Sequence, residues 1–395
     1  MTSHHEPHRA IRYALEGTAV LLMAVLASIA IAMHLSRPPI RYSQEATFLG
    51  VTVRARVQQV IEESSTLSED RLISVNQILE LRILSSGEHQ GEVVTLEYNG
   101  SGPVLSAVRF RPGSQALVMI STVPDGTNAE GRTLYQVADH VRLVPLALIA
   151  ASFGGVIIAI GRWKGIRALI GLALSGLLIG GFVIPQILAH RDPVVVALVS
   201  TGLLLAITLY LIQGWNVTGH TALIGMLASL LITGLLAIMA TKVAYLTGFG
   251  SEETLFLKAV GIGVQMRGLL LAGMVLGAAG VLDDVIIAQS VAVFELSATD
   301  PALRPRTLYE RSMRIGVTHL ASMINTLVLA YASGALPLLI LFYIYPEPWY
   351  LTINRELIAE EIIRALVGST GLMLAVPLTS AIASWVAPRF ATPSL

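Results

Sequence analysis

The sequence predicts an α-helical polytopic membrane protein of about eight spans, with one small β-rich, barrel-like (OB-like) insert between the first two. Three observations predict this. The chain is 54% hydrophobic and only 13% charged, whereas a soluble domain carries about 25% charged residues. The deficit sits in apolar blocks long enough to cross a bilayer, which takes about 20 residues. Residues 37–143, in contrast, read like an ordinary soluble protein with strands of period two.

The apolar blocks lie near 15–35, 144–161, 167–189, 194–213, 221–243, 262–282, 315–344 and 361–387. The first begins with Arg9 and Arg12 and has small residues at Ala30 and Ala32. Its apolar stretch exceeds the roughly 7–15 residues of a signal-peptide core, so it is read as an uncleaved anchor. Three parts follow: residues 1–36 as N-terminus and anchor, 37–143 as the insert, and 144–395 as the membrane domain.

Orientation follows from Lys and Arg near the span ends. With the N-terminus inside, the inside segments hold Arg9, Arg12, Arg162, Lys164, Arg167, Arg304, Arg306, Arg311, Arg314 and Arg389. The short outside segments hold only Arg191, Lys242, Lys258, Arg355 and Arg364. Both termini are then cytoplasmic and the insert is extracytoplasmic.

Within the insert, Val51, Val53, Ala55 and Val57 alternate with Thr52, Arg54 and Arg56, the pattern of a half-buried strand. Leu79, Leu81 and Ile83 repeat it, as do Val94, Leu96 and Tyr98. Ala116 to Ser121 and Leu134 to Val137 add further strands. The clusters SSGEHQGE, YNGSGP, RPGS and PDGTNAEG read as turns between them. An aromatic platform and a basic stripe are both missing, and the net charge is zero. Nucleic acid is therefore not an expected partner.

Several chemistries are excluded. There are no cysteines, so disulfides and thiolate sites drop out. The phosphate-binding lysine loop, the H-E-x-x-H zinc motif and the G-x-S-x-G elbow are all absent. The chain reads as a non-enzyme without a cofactor, and no metal is assigned.

The polar residues inside apolar segments carry the functional signal. The sixth block, LLLAGMVLGAAGVLDDVIIAQSVAVFEL, is apolar and glycine-spaced and meets two adjacent carboxylates, Asp283 and Asp284. Acids in a membrane helix are functional candidates by default. Neighbouring helical residues point about 100° apart, so at most one of the two faces the interior. The apolar run after them, 285–297, is too short to span and is expected to be re-entrant or interfacial. The seventh block opens with Thr318, His319, Ser322 and Asn325. Thr318, Ser322 and Asn325 stack on one face, which must look toward helices or water rather than lipid. His319 borders that face and can change charge near neutral pH. The same stripe also suits helix–helix glue. At the outer end, Arg267, Glu360 and Glu361 form a possible charge network, with Arg364 able to pair locally. Gly334 and Pro337 mark a hinge.

The segments GLLLAGMVLGAAGVLDDV, QSVAVFEL and HLASMINTLVLAYASGALPLLILF resemble the YibE/F-like family of bacterial membrane proteins. The resemblance implies a multi-pass protein of the bacterial cytoplasmic (inner) membrane and carries no activity with it. The family pattern often has a single acid before the Val where this chain has Asp283-Asp284, which favours Asp284.

Two functions are expected from these residues. One is a permease that moves a small solute or ion along spans six and seven, using Asp284 with His319 and Asn325 close by. The other is a non-transporting scaffold or sensor whose insert binds an envelope partner. A homo-oligomer is compatible with both.

Overall fold

The computed structural model describes residues 6–36, 51–67, 72–85, 89–103, 109–123, 132–259, 261, 263–345 and 347–390. The chain divides into two compact units, residues 42–156 and residues 1–41 with 157–395.

The first unit is a five-stranded antiparallel half-barrel. Its strands are β1 (Val51–Leu67), β2 (Leu72–Ile83), β3 (Val93–Pro103), β4 (Gln115–Val123) and β5 (Arg132–His140), in the order β3-β2-β1-β4-β5. The central strand β1 is long enough to pair with β2 along most of its length and with β4 at its start. Register shifts between Val57 and Gln59 and between Val60 and Glu62 bend it, as bulges do. Ala55, Val57, Leu79, Leu81, Phe110, Ala116, Val118 and Val137 form the core, following the period-two pattern of the sequence. Tyr98 meets Phe110 edge-on at 4.9 Å, and Phe110 stacks on His140 at 3.6 Å. One turn expectation fails: Asn99 to Pro103 continue β3, held in a long ladder by Leu72 to Asn76 of β2. The cluster PDGTNAEG lies outside the described residues, as does part of SSGEHQGE.

The remaining described elements are helices: α1 (Glu6–Leu35), α2 (Leu143–Leu178), α3 (Ile184–Leu188), α4 (Pro193–Gln213), α5 (Val217–Val243), α6 (Glu252–Ala259), α7 (Met266–Thr299), α8 (Pro305–Gly334), α9 (Leu336–Ile344), α10 (Trp349–Asn354) and α11 (Glu356–Val386). A π-helical turn, Ile179–Val183, joins α2 to α3. Among the described residues, seven helices are long and apolar enough to cross a membrane, so the chain is a multi-pass membrane protein.

Two expected blocks, 144–161 and 167–189, fall in one 46-residue stretch, Leu143–Leu188. Arg162 interrupts it with φ 47° and ψ −123°. A Cβ on Gly165 would collide with the carbonyl oxygen of Ile157. Residues eight apart in a straight helix lie about 12 Å apart, so the chain doubles back at Arg162. In α7 the expectation of a separate re-entrant piece after the carboxylates is wrong. The helix runs unbroken through Asp283 and Asp284 to Thr299, because VIIAQSVAVFEL contains neither Pro nor Gly, the residues that break a helix. The seventh block breaks between α8 and α9 at Ala335, just before Pro337, as the Gly334–Pro337 pair predicts.

Helices α4, α5, α7 and α11 make the packed centre, with Leu223, Met226, Leu282, Ile286 and Leu372 fully buried. Lipid is as apolar as Leu, so helices associate in it through close packing and polar contacts. The α5–α11 crossing shows this. A Cβ on Gly371 would collide with Oγ1 of Thr233, and one on Gly225 would stand 2.8 Å from Oγ1 of Thr379. Helix α8 joins this centre by one face only: Leu308, Ser312, Gly316, Leu320 and Leu327.

Candidate functional site

The phase of α7 decides which carboxylate turns inward. Asp283 shares a face with Ala279, Ile286 and Ser290, all buried, and is itself partly buried. Asp284 shares a face with Gly280 and Ala288 and is exposed, as they are. The expectation that Asp284 faces the bundle is therefore corrected: the inward carboxylate is Asp283. Its Oδ1 is buried and has no hydrogen-bond partner among the described residues. Both acids line an open groove of ≈ 570 Å³ with Ile212 and Gln213 from the end of α4 and Ile287 from the next turn of α7.

Thr318, His319 and Ser322 line a different groove, of ≈ 650 Å³, with Arg314 and Ile315. All three are exposed, and so is Asn325. The grouping of Asp284 with His319 and Asn325 is not found in either groove. The reason is again helical phase. The buried face of α8 runs through Gly316, Leu320 and Leu327, and Thr318 lies about 200° around the helix from Gly316. What α8 turns toward α7 is Ser312 and Gly316. Nε2 of Gln289 donates to the carbonyl of Ser312 at 3.0 Å and to Oγ of Ser380 at 2.7 Å, tying α7, α8 and α11 together. Gly316 leaves room for that amide, since a Cβ there would stand 2.8 Å from Oε1 of Gln289.

The outer charge network also differs from expectation. Arg267 is exposed and takes part in no ion pair among the described residues. Its neighbours Met266 and Gly268 are buried, Gly268 against Pro193, which turns Arg267 to the open side, where a long side chain can snorkel. Glu360, 6% exposed, accepts from the backbone N–H of Gly250 at 3.3 Å. Glu356, one turn earlier, accepts from the N–H groups of Thr247 and Gly248 and from the Thr247 hydroxyl. The two acids hold the 247–250 loop to α11. Glu361 instead pairs with Arg364 at 2.6 Å. That pair lines a cleft of ≈ 420 Å³ at the α8–α9 break, with Tyr331, Gly334 and Pro337.

Among the buried polar residues that escaped the sequence reading are Gln289 and His220. Gln289 stands in the quoted run QSVAVFEL, where an amide inside an apolar helix was the available signal. His220, fully buried, pairs through Nδ1 with the Tyr210 hydroxyl at 2.8 Å, while its Nε2 is without a partner. Trp215 stacks near both rings. Its signal was equally local: a histidine in the first turn of an otherwise apolar span. Among the described residues no cluster of His, Asp and Glu is arranged to hold a metal ion.

Residues 149–389 match the YibE/F-like protein family. No curated protein and no solved structure matches the chain.

Proposed function

The chain belongs to the YibE/F-like family, and from that premise we propose that it is a permease for a small solute or ion, with Asp283 as the group that takes up a cation or proton. One observation carries the reading. Oδ1 of Asp283 is shielded from solvent and has no donor among the described residues, midway along a membrane-length helix. Leaving such an oxygen unsatisfied is costly. A proton or a hard cation would supply what the protein withholds. The adjoining groove offers the carbonyl and amide groups of Gln213 and the second carboxylate, Asp284, as an approach. In this reading the groove end of the bundle is cytoplasmic, both termini are inside the bacterial inner membrane, and the half-barrel is outside.

The test is reconstitution in liposomes with ion and pH readouts across a solute panel. Asp283→Asn is expected to lower flux at least tenfold at equal membrane insertion, and Asp284→Asn to change it less than threefold. Absence of flux for every solute, or an active Asp283→Asn chain, rejects the reading. Because the chain lacks cysteine, orientation is testable separately. In intact cells an impermeant maleimide should label Gln90→Cys and spare Arg306→Cys.

A further inference from the structure

The polar stripe on α8 points away from the described helices of its own unit, and that leaves polar groups which these helices do not satisfy. The stripe lies opposite the face that packs on α7 and α11. Asn325 is ten residues beyond Ile315, where the charged start of α8 ends, and so lies about 15 Å deeper. That is close to the middle of a hydrocarbon core of about 30 Å. The hydroxyls of Thr318 and Thr326 donate back to the carbonyls of Arg314 and Ser322 at 3.1 and 3.2 Å, so the helix satisfies them itself. The side chains of His319, Ser322 and Asn325 have no hydrogen bond among the described residues. An asparagine carries two amide donors and a carbonyl acceptor, none of which an acyl chain can satisfy.

We propose that this face of α8 is the interface between two copies of the chain, related by a two-fold axis along the membrane normal, with Asn325 paired to Asn325 of the second copy. The argument for a second copy is self-complementarity. A two-fold interface joins the same patch of both copies, and residues beside the axis meet their own equivalents. Amides and hydroxyls are each donor and acceptor, so a face built of Ser322 and Asn325 pairs with itself. A run of one charge would not. The flanking positions on the same face are the aliphatic Leu329 and the small Ala321, both exposed, which lets two helices close around the polar centre. The inference does not depend on what the chain transports.

The experiment uses the full chain in native membranes, with single cysteines introduced into the cysteine-free background. Ser322→Cys and Leu329→Cys are expected to oxidise to a covalent dimer of twice the chain mass. Leu235→Cys, 61% exposed on α5, reports random collision and is expected to stay monomeric. Asn325→Leu, which breaks no side-chain hydrogen bond among the described residues, is expected to reduce the Leu329→Cys dimer at least fivefold. Four outcomes overturn the proposal: equal cross-linking at Leu235→Cys; a dimer unaffected by Asn325→Leu; a conjugate with a protein of different mass; or a monomer in which Ser322→Cys reacts with water-soluble maleimide, which would make the stripe the wall of an aqueous path.

Discussion

The half-barrel and the helical bundle each enclose a buried glutamine, and the two do different work. Gln77 in β2 makes three hydrogen bonds: Nε2 to the carbonyl of Phe110 at 3.0 Å and to Glu63 at 2.9 Å, and Oε1 from the N–H of Phe110 at 2.8 Å. Its amide thus exchanges both bonds with one backbone residue, as a ladder partner would, and brings Phe110 into the core. Gln289 in α7 reaches one carbonyl and one hydroxyl on two other helices. Several of the bundle's buried hydroxyls bond back to their own helices instead: Ser200 to Val196, Thr233 to Ser229 and Thr241 to Ala237. A sheet core accepts a polar side chain as a substitute for backbone. In the helix bundle Gln289 finds its partners where three helices meet, whereas the amide of Gln186, equally buried, has none among the described residues.

That contrast predicts unequal losses. Gln77→Leu strands the N–H and C=O of Phe110 together and is expected to cost the half-barrel about 3 kcal/mol or more, read as faster hydrogen exchange in β1 and β2 with the helices unchanged. Gln289→Leu is expected to cost about 1–2 kcal/mol, seen as a lower melting midpoint in detergent and faster exchange where α8 meets α11. Equal losses would mean that both amides act as mere packing volume.

The smallest expected effect is on acidification, and it sharpens the difference between the units. Burial against Phe110 lowers the pKa of His140, against weaker opposing contributions. The neutral ring is therefore favoured in the folded half-barrel. The stability this gives is fully present above the unfolded value of about 6.5 and declines as pH falls below it, since the unfolded state then binds the extra proton. Asp139 moves down as well, chiefly through its hydrogen bonds to Arg142 and then to the N–H of His140. Its contribution holds above the ordinary carboxylate range and is lost only as pH falls through its depressed value. Half-barrel protection, corrected for the intrinsic exchange rate at each pH, should therefore decline as pH falls below about 6.5, and His140→Phe, which keeps the stacking without the titration, should remove that first step. An unchanged profile in His140→Phe would exclude the histidine.

By itself the sequence determined the class of the molecule. Apolar length located the membrane-length helices, though eight blocks were expected against the seven such helices described; alternation located β1 to β3, and Pro337 with Gly334 located the broken helix, because hydropathy, period and backbone restriction are properties of consecutive residues. Tertiary structure alone decided which groups face one another. Asp283 and Asp284 are equivalent in the string, and only the packed faces of α7 separate them. Arg267 was a plausible partner of Glu360 until the close seat of Gly268 on Pro193 turned it outward. The stripe of Thr318, Ser322 and Asn325 was legible, but its direction was not: the opposite face, smooth around Gly316, fits against Val376 and Gln289. Periodicity fixes the angles between residues on one helix; the rotation of that helix against its neighbours is set by side chains distant in the chain.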